Sequence, residues 1–233
     1  GSEISNASTT SGASMSSPGT PTRTGYDFDG WFDASTGGSL IEFPFAHGQI
    51  ANFTLYAQWV ETALYSVGDP GPGGGTIFYV DLTRPVGSQY FEAACAGWQN
   101  NCDGATADPE AQWADPEDDW CHDRDFPGAD GLLIGTGERN TADILAGCAT
   151  SGIAARLADE FRGQGLSDWF LPSQNELNQM YVEPTTFGGF STDAYWSSYE
   201  YDGDLAWFQW FDVGEQYATS KYATAYVRPV RSF

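Results

Sequence analysis

The chain is poor in positive charge. Lys and Arg total 9 against 32 Asp and Glu, a formal net charge of −23, and Lys221 is its one lysine. A polyanion would meet repulsion over most of such a surface, which argues against nucleic acid as a partner and against sulfated glycans as well. Histidine is scarce too, with only His47 and His122, and no Cys-x-x-Cys occurs, so a zinc site has little to build on. No stretch reaches the roughly 18 to 20 consecutive apolar residues needed to span a bilayer, and no basic-then-apolar N-terminus resembles a signal peptide. The segment reads as soluble, without direct membrane insertion. Gly1-Ser2 reads as a cloning scar, so an export signal or anchor would lie outside the segment.

Aromatic content is high, 15% of 233 residues, ample for a buried core. Four cysteines stand at 95, 102, 121 and 148. Three pairings are open to them. The preferred one is Cys95 with Cys102, closing a short loop, and Cys121 with Cys148, tying an acidic segment to a helix; it needs an oxidising compartment. The competing reading is four reduced, buried thiols in a cytosolic protein.

Organisation follows from composition. Residues 1–20 are rich in Ser and Thr with few large apolar side chains, and read as a flexible linker. Residues 21–62 alternate aromatic and polar positions, Tyr26-Asp-Phe-Asp-Gly-Trp-Phe and Phe53-Thr-Leu-Tyr-Ala-Gln-Trp59, about a Gly37-Gly38 turn, the signature of a small β module. This pattern resembles the C-terminal half of the Listeria/Bacteroides-type B-repeat, a β-grasp-like spacer of bacterial surface proteins. Residues 63–233 form the main domain. Its helical signals are Asn140 or Thr141 as an N-cap before residues 142–148, the spacing Ile153, Leu157, Phe161, and a capping box, Ser173 with Glu176, opening residues 174–180.

Five motifs in order, Tyr65-Ser-Val-Gly-Asp-Pro-Gly-Pro-Gly-Gly-Gly, Ile134-Gly-Thr-Gly-Glu-Arg-Asn-Thr, Ser167-Asp-Trp-Phe-Leu-Pro-Ser-Gln-Asn-Glu-Leu-Asn, Tyr195-Trp-Ser-Ser and Val227-Arg-Pro-Val-Arg-Ser-Phe, resemble the DUF1566 domain, or Legionella collagen-like adhesin C-terminal domain. The resemblance implies an α+β, C-type-lectin-like fold related to formylglycine-generating enzymes, exported to the cell surface or beyond and used for binding. It does not extend to the structure of the insertion between Phe91 and Gly131.

Candidate chemistry is thin. Residues 99–130 hold ten acids against Arg124. Asp115, Glu117, Asp118, Asp119, Asp123 and Asp125 could supply hard oxygens, and Ca2+ is the cation they would take. Neither a full Asp-x-Asp-x-Asp-Gly loop nor the sugar-lectin ligand signatures are present, and Glu183-Pro-Thr185 departs from one of them. His122, which follows Cys121 and lies near Asp123 and Asp125, is one histidine in an acidic loop and reads as a surface group rather than a catalyst, so no catalytic residue is assigned and the chain reads as a non-enzyme. The alternative is an enzyme on the formylglycine-generating-type scaffold using Cys121 or Cys148 as a reactive thiol.

The C-terminal tail is the most informative stretch. Twelve of the 36 aromatic residues fall in residues 195–233, interleaved with Asp, Gly, Ser and Thr. Rings with few rotors set among small hydrogen-bonding groups make the composition of a paratope, while plain strand chemistry would also favour Tyr and Thr. The expected ligand-binding set is Tyr199, Tyr201, Asp202, Asp204, Leu205, Phe208, Trp210, Asp212, Val213, Tyr217, Thr219, Ser220, Tyr222 and Thr224, projecting together toward a protein or glycan. The DUF1566 resemblance implies that Trp196, Trp207 and Phe211, at positions that family fills with core aromatics, pack in the core. Residues 179–233 contain no Asn, and the residues filling these slots are reachable from an AAC codon by changing adenines. Trp207, Gln209, Trp210, Glu215, Gln216 and Lys221 are not, and interrupt the runs as a fixed frame would. The pattern resembles the variable protein of a diversity-generating retroelement.

Overall fold

The computed structural model describes residues 10–48, 51–100, 102, 104, 106–115, 117, 121, 123–182 and 189–233. The chain divides into two compact units, Gly1–Leu64 and Tyr65–Phe233.

In the first unit, β1 (Ser14–Met15) pairs antiparallel with β3 (Phe45–Ala46), and β2 (Tyr26–Phe32) with β4 (Tyr56–Glu61). The register of β2 shifts between Phe28 and Gly30. Gly30 has φ 137°, and a Cβ there would come within 2.5 Å of Leu40, so this irregularity needs glycine. Phe28 packs edge-on against both Trp31 and Trp59, and the Trp31 indole donates to the Gly19 carbonyl at 3.0 Å. Part of the stretch expected to be a linker therefore contributes a strand and caps the one deeply buried tryptophan of this unit.

The second unit carries β5 (Thr76–Val80), β6 (Tyr90–Ala93), β7 (Glu110–Gln112), α1 (Gly137–Gly147), α2 (Ala154–Asp159), α3 (Gln174–Val182), β8 (Ala194–Glu200), β9 (Leu205–Trp210), β10 (Gln216–Ser220), β11 (Thr224–Tyr226) and β12 (Val230–Ser232). One sheet runs β10-β9-β8-β11-β7 and another β12-β6-β5. Residues 194–198 of β8 are buried on both faces, since successive side chains alternate. Trp196 joins a core with Trp113, Phe126, Ile144 and Trp169, while Tyr195 joins a second core with Phe78, Phe91, Phe170 and Leu177.

The expected α+β, C-type-lectin-like fold is not what forms. Among the described residues the α-helices are three, of 11, 6 and 9 residues, against twelve strands, so the chain is β-rich. The Trp-, Tyr- and Thr-rich tail is wholly strand and turn, as such side chains favour on a pleated surface. Helix α1 begins at Gly137, and neither Asn140 nor Thr141 caps it. Their side chains serve tertiary contacts instead. Asn140 exchanges bonds with both backbone groups of Gly131, and Thr141 Oγ1 accepts from Leu171 N at 3.0 Å. The capping box does form: Ser173 N donates to Glu176 Oε2 at 2.7 Å and Glu176 N to Ser173 Oγ at 3.3 Å.

The glycine and arginine motifs build frame rather than site. Fully buried Glu92 accepts from Gly73 N at 3.0 Å, Gly75 N at 2.7 Å and Arg231 Nη1 at 3.2 Å. A Cβ on Gly71 would fall 2.3 Å from the Glu92 carboxylate, and one on Gly75 1.9 Å from the Ala93 carbonyl oxygen. The Gly-rich turn is thus closed around a carboxylate, with no room to cradle a phosphate. Arg231 goes on to clasp Asp168 with two nitrogens, at 2.9 and 2.6 Å.

Candidate functional site

The cysteines pair in the preferred way. Cys95 bonds Cys102 with Cα atoms 5.3 Å apart, and Cys121 bonds Cys148 at 5.0 Å. Cys121 and Cys148 are fully buried and joined to each other, so neither stands as a thiol nucleophile.

The structural key to the tail is Lys221, with no exposed surface. Its Nζ donates to Glu200 Oε1 at 2.5 Å and to the carbonyls of Arg124 and Gly203, both at 2.8 Å, spending all three ammonium protons. It also lies 5.1 and 5.0 Å from the ring centroids of Trp113 and Phe126. Glu200 in turn accepts from Phe126 N with both oxygens, and burial pushes its carboxyl above the ordinary range while Lys221 and Phe126 pull it back. One buried cation thereby fastens the β8–β9 hairpin, the β10–β11 turn and the loop after Cys121 into a single end of the sheet.

None of the fourteen expected binding residues is buried, and eight of them gather at this end: Tyr199, Tyr201, Asp202, Asp204, Leu205, Ser220, Tyr222 and Thr224. Tyr199 stacks beside Trp207, with centroids 6.1 Å apart and planes 13° from parallel, and Tyr201 meets the same indole edge-on at 5.9 Å. The hairpin is held by Asp202 Oδ1, which accepts from Asp204 N at 2.9 Å and Leu205 N at 2.8 Å. Opposite it, the Tyr222 hydroxyl donates to Asp123 Oδ1 at 2.7 Å. Asp123 also hydrogen-bonds and repels the Asp204 carboxyl, raising it above its ordinary value. Trp207, which the resemblance places in the core, is half-buried and lies against these rings; its indole nitrogen is buried and reaches no acceptor among the described residues.

The other candidates lie elsewhere. Alternation along β9 sends Phe208 and Trp210 to the side that packs on the Trp196 core. Phe208 pairs across to Tyr217, whose hydroxyl bonds the Glu215 carboxylate. Asp212 and Val213 occupy the β9–β10 turn, where Gly214 packs on Tyr181. Thr219, on the edge strand β10, pairs with Ala206 one position from the Ser220–Leu205 pair, so alternation turns it to the opposite face from Ser220. The set therefore divides between two ends and two faces, because strand alternation separates neighbours that sequence places side by side. Of the residues read as a fixed frame, Gln209 and Lys221 are fully buried and Glu215 alone is exposed.

Among the calcium candidates, Asp118 and Asp119 lie outside the described residues, as do His122 and the Glu183-Pro-Thr185 stretch. Asp115 accepts from Glu117 N at 2.8 Å, a local turn. Asp123 turns to Tyr222, and Asp125 adds its charge near Glu200. No group of three or more metal-binding side chains comes together among the described residues. In the first unit a groove of about 470 Å³ is lined by Arg23, Thr36, Gln58 and Trp59, but Gln58 already donates its amide to the carbonyls of Ala34 and Gly37. No helix among the described residues is long and apolar enough to cross a membrane.

Comparison with known sequences bears on the first unit. Residues 1–58 match the Listeria-Bacteroides repeat domain. The chain is also 38% identical over 68 residues to internalin H of Listeria monocytogenes, a stretch amounting to 27% of this chain and 12% of that protein. The B-repeat resemblance is upheld, and the match begins at residue 1, so it takes in the Ser/Thr-rich stretch as well.

Proposed function

We propose that the chain is a surface-associated bacterial binding protein in which a repeat-type spacer precedes a ligand-capturing unit, and that it carries out no catalysis. The repeat match and the two disulfides support placement outside the reducing cytosol. The observation that carries the reading is the sheet end around Lys221: exposed Tyr, Asp, Ser and Thr side chains displayed on hairpins whose bases are fixed by buried hydrogen bonds. Tolerant surface residues on an immobile frame suit capture of varied ligands. The DUF1566-like motifs, which here build frame, fit that division, as does adenine-directed diversification of the tail.

The test is to probe the immobilised protein with a glycan array and a random peptide library. Replacing Tyr199, Tyr201 and Leu205 with Ser abolishes capture, whereas replacing Asp212, Val213 and Tyr217 with Ala preserves it. The opposite pattern, or no capture at all, refutes the reading. The coding sequence downstream should also contain a near-copy of the 195–233 region differing at adenines.

A further inference from the structure

Two features of the hairpin end bear on what it takes. The first is an apolar floor, Trp207 with Tyr199 and Tyr201 against it and Leu205 beside it, Tyr201 being 58% exposed. The ring faces of Trp and Tyr carry partial negative charge and attract cations, guanidinium above all. The second is the rim. Exposed Asp202 and Asp204 stand on the hairpin, and exposed Asp123 and Asp125 on the loop that Lys221 fastens to it. Exposed Arg124 is the one base among the described residues of that rim, while the Lys221 charge is buried against Glu200 and offers nothing to solvent. Asp123 and Asp204 are pressed together within hydrogen-bond reach, so an incoming cation relieves a repulsion already present.

Building on the proposed function, we infer that the ligand is a basic polypeptide segment, with Arg or Lys side chains laid over Trp207 and Tyr201 and drawn by the Asp202 and Asp204 rim. Charge complementarity over an aromatic floor selects this occupant: a neutral glycan could hydrogen-bond the carboxylates but would leave their charge uncompensated, and a sulfated one would be repelled by them. The net charge of −23 aids encounter from any direction, and the rim supplies the local preference.

The experiment is selection of a random 12-residue peptide library on the whole chain, followed by binding measurements at low and physiological salt. Selected peptides are expected to be enriched in Arg and Lys, to weaken as salt rises, and to bind Asp202→Asn/Asp204→Asn about tenfold less tightly. Asn retains the Oδ1 acceptor that holds the turn. Asp27→Asn/Asp29→Asn, which removes equal charge from exposed positions on β2, is expected to leave binding unchanged. If both double variants weaken binding equally, only net charge is at work and the inference is overturned. Neutral or acidic peptides that still depend on Tyr199 and Tyr201 overturn the basic partner while sparing the proposed face. Capture of glycans alone does the same. Peptides indifferent to both tyrosines overturn the face itself.

Discussion

The two ends of the β8–β9–β10 sheet use similar residues for different purposes. At the β9–β10 turn, Phe208 and Trp210 lean on the Trp196 core, Gln209 donates to Asn178 and Gly214, and Gln216 donates to Gln174 at the start of α3. Side chains there are spent on neighbours. At the hairpin end the fastening is done from below by Lys221, and Tyr201, Asp202, Asp204 and Thr224 remain exposed. A single buried ammonium fixes three loops through backbone and Glu200 contacts, Asp202 braces the hairpin turn and Tyr222 bonds Asp123, while the Tyr201 ring stays 58% exposed.

The comparison breaks most severely at Lys221. Lys221→Met keeps the stem volume but strands Glu200 without its cation, and is expected to cost about 3–5 kcal/mol in urea unfolding. Adding Glu200→Gln should recover part of that loss, whereas removal of Tyr217 and Glu215 at the other end should cost less than about 1 kcal/mol.

Next in size come the disulfides. Cys121 and Cys148 are 27 residues apart and Cys95 and Cys102 are 7 apart. Chain entropy gives about 3.5 kcal/mol for the longer closure and about 2.5 for the shorter, measured on the paired Cys→Ser variants. The longer bridge bounds the loop that contributes Asp123, so its loss should also weaken ligand capture; the shorter should leave capture intact.

Acidity separates frame from face in another way. Burial pushes Glu176 up to about 7 from an ordinary 4.5, against the pull of backbone N–H groups from Ser173, Gly135 and Gly137. A raised folded-state value means that the native carboxyl holds its proton where the unfolded one releases it. Stability from this group is therefore full below about pH 4.5 and lost as pH rises toward 7, by about 3 kcal/mol. Glu176→Gln should flatten that slope in unfolding curves taken from pH 4.5 to 7.5. Asp168, held below its ordinary value chiefly by Arg231, acts in the opposite sense, losing its contribution as pH falls through the native value.

The smallest effect on stability belongs to the face itself. Tyr201→Ser should change unfolding by less than about 1 kcal/mol, since its ring is 58% exposed and meets the Trp207 indole in a T-shaped contact, yet should remove most of the binding.

How much of this could be read from the letters depends on range. Local chemistry is visible in the letters: the Ser173–Glu176 capping box, the aromatic alternation of β2 and β4, and both disulfides. Contacts across long separations are not. Tyr222 finds Asp123 and Lys221 finds Arg124, pairs about a hundred residues apart, and nothing at 221 distinguishes a buried lysine from a solvated one. Asn140 and Thr141 looked like caps because their residue types favour that role, but Gly131 and Leu171 claim them. The family resemblance places Trp207 in the core, whereas strand alternation sets it on the face opposite Phe208, across from Ala218. The α+β expectation failed because neither the order of helix and strand signals nor motif likeness carries length information: the helical signals are present, but no helix among the described residues exceeds 11 residues.

The most direct test is hydrogen exchange on the whole chain with and without a library-selected peptide. Slowed exchange confined to residues 199–205 and 220–224, with the 123–126 loop following, is the predicted footprint. Protection at residues 211–217, or within Gly1–Leu64, would contradict it.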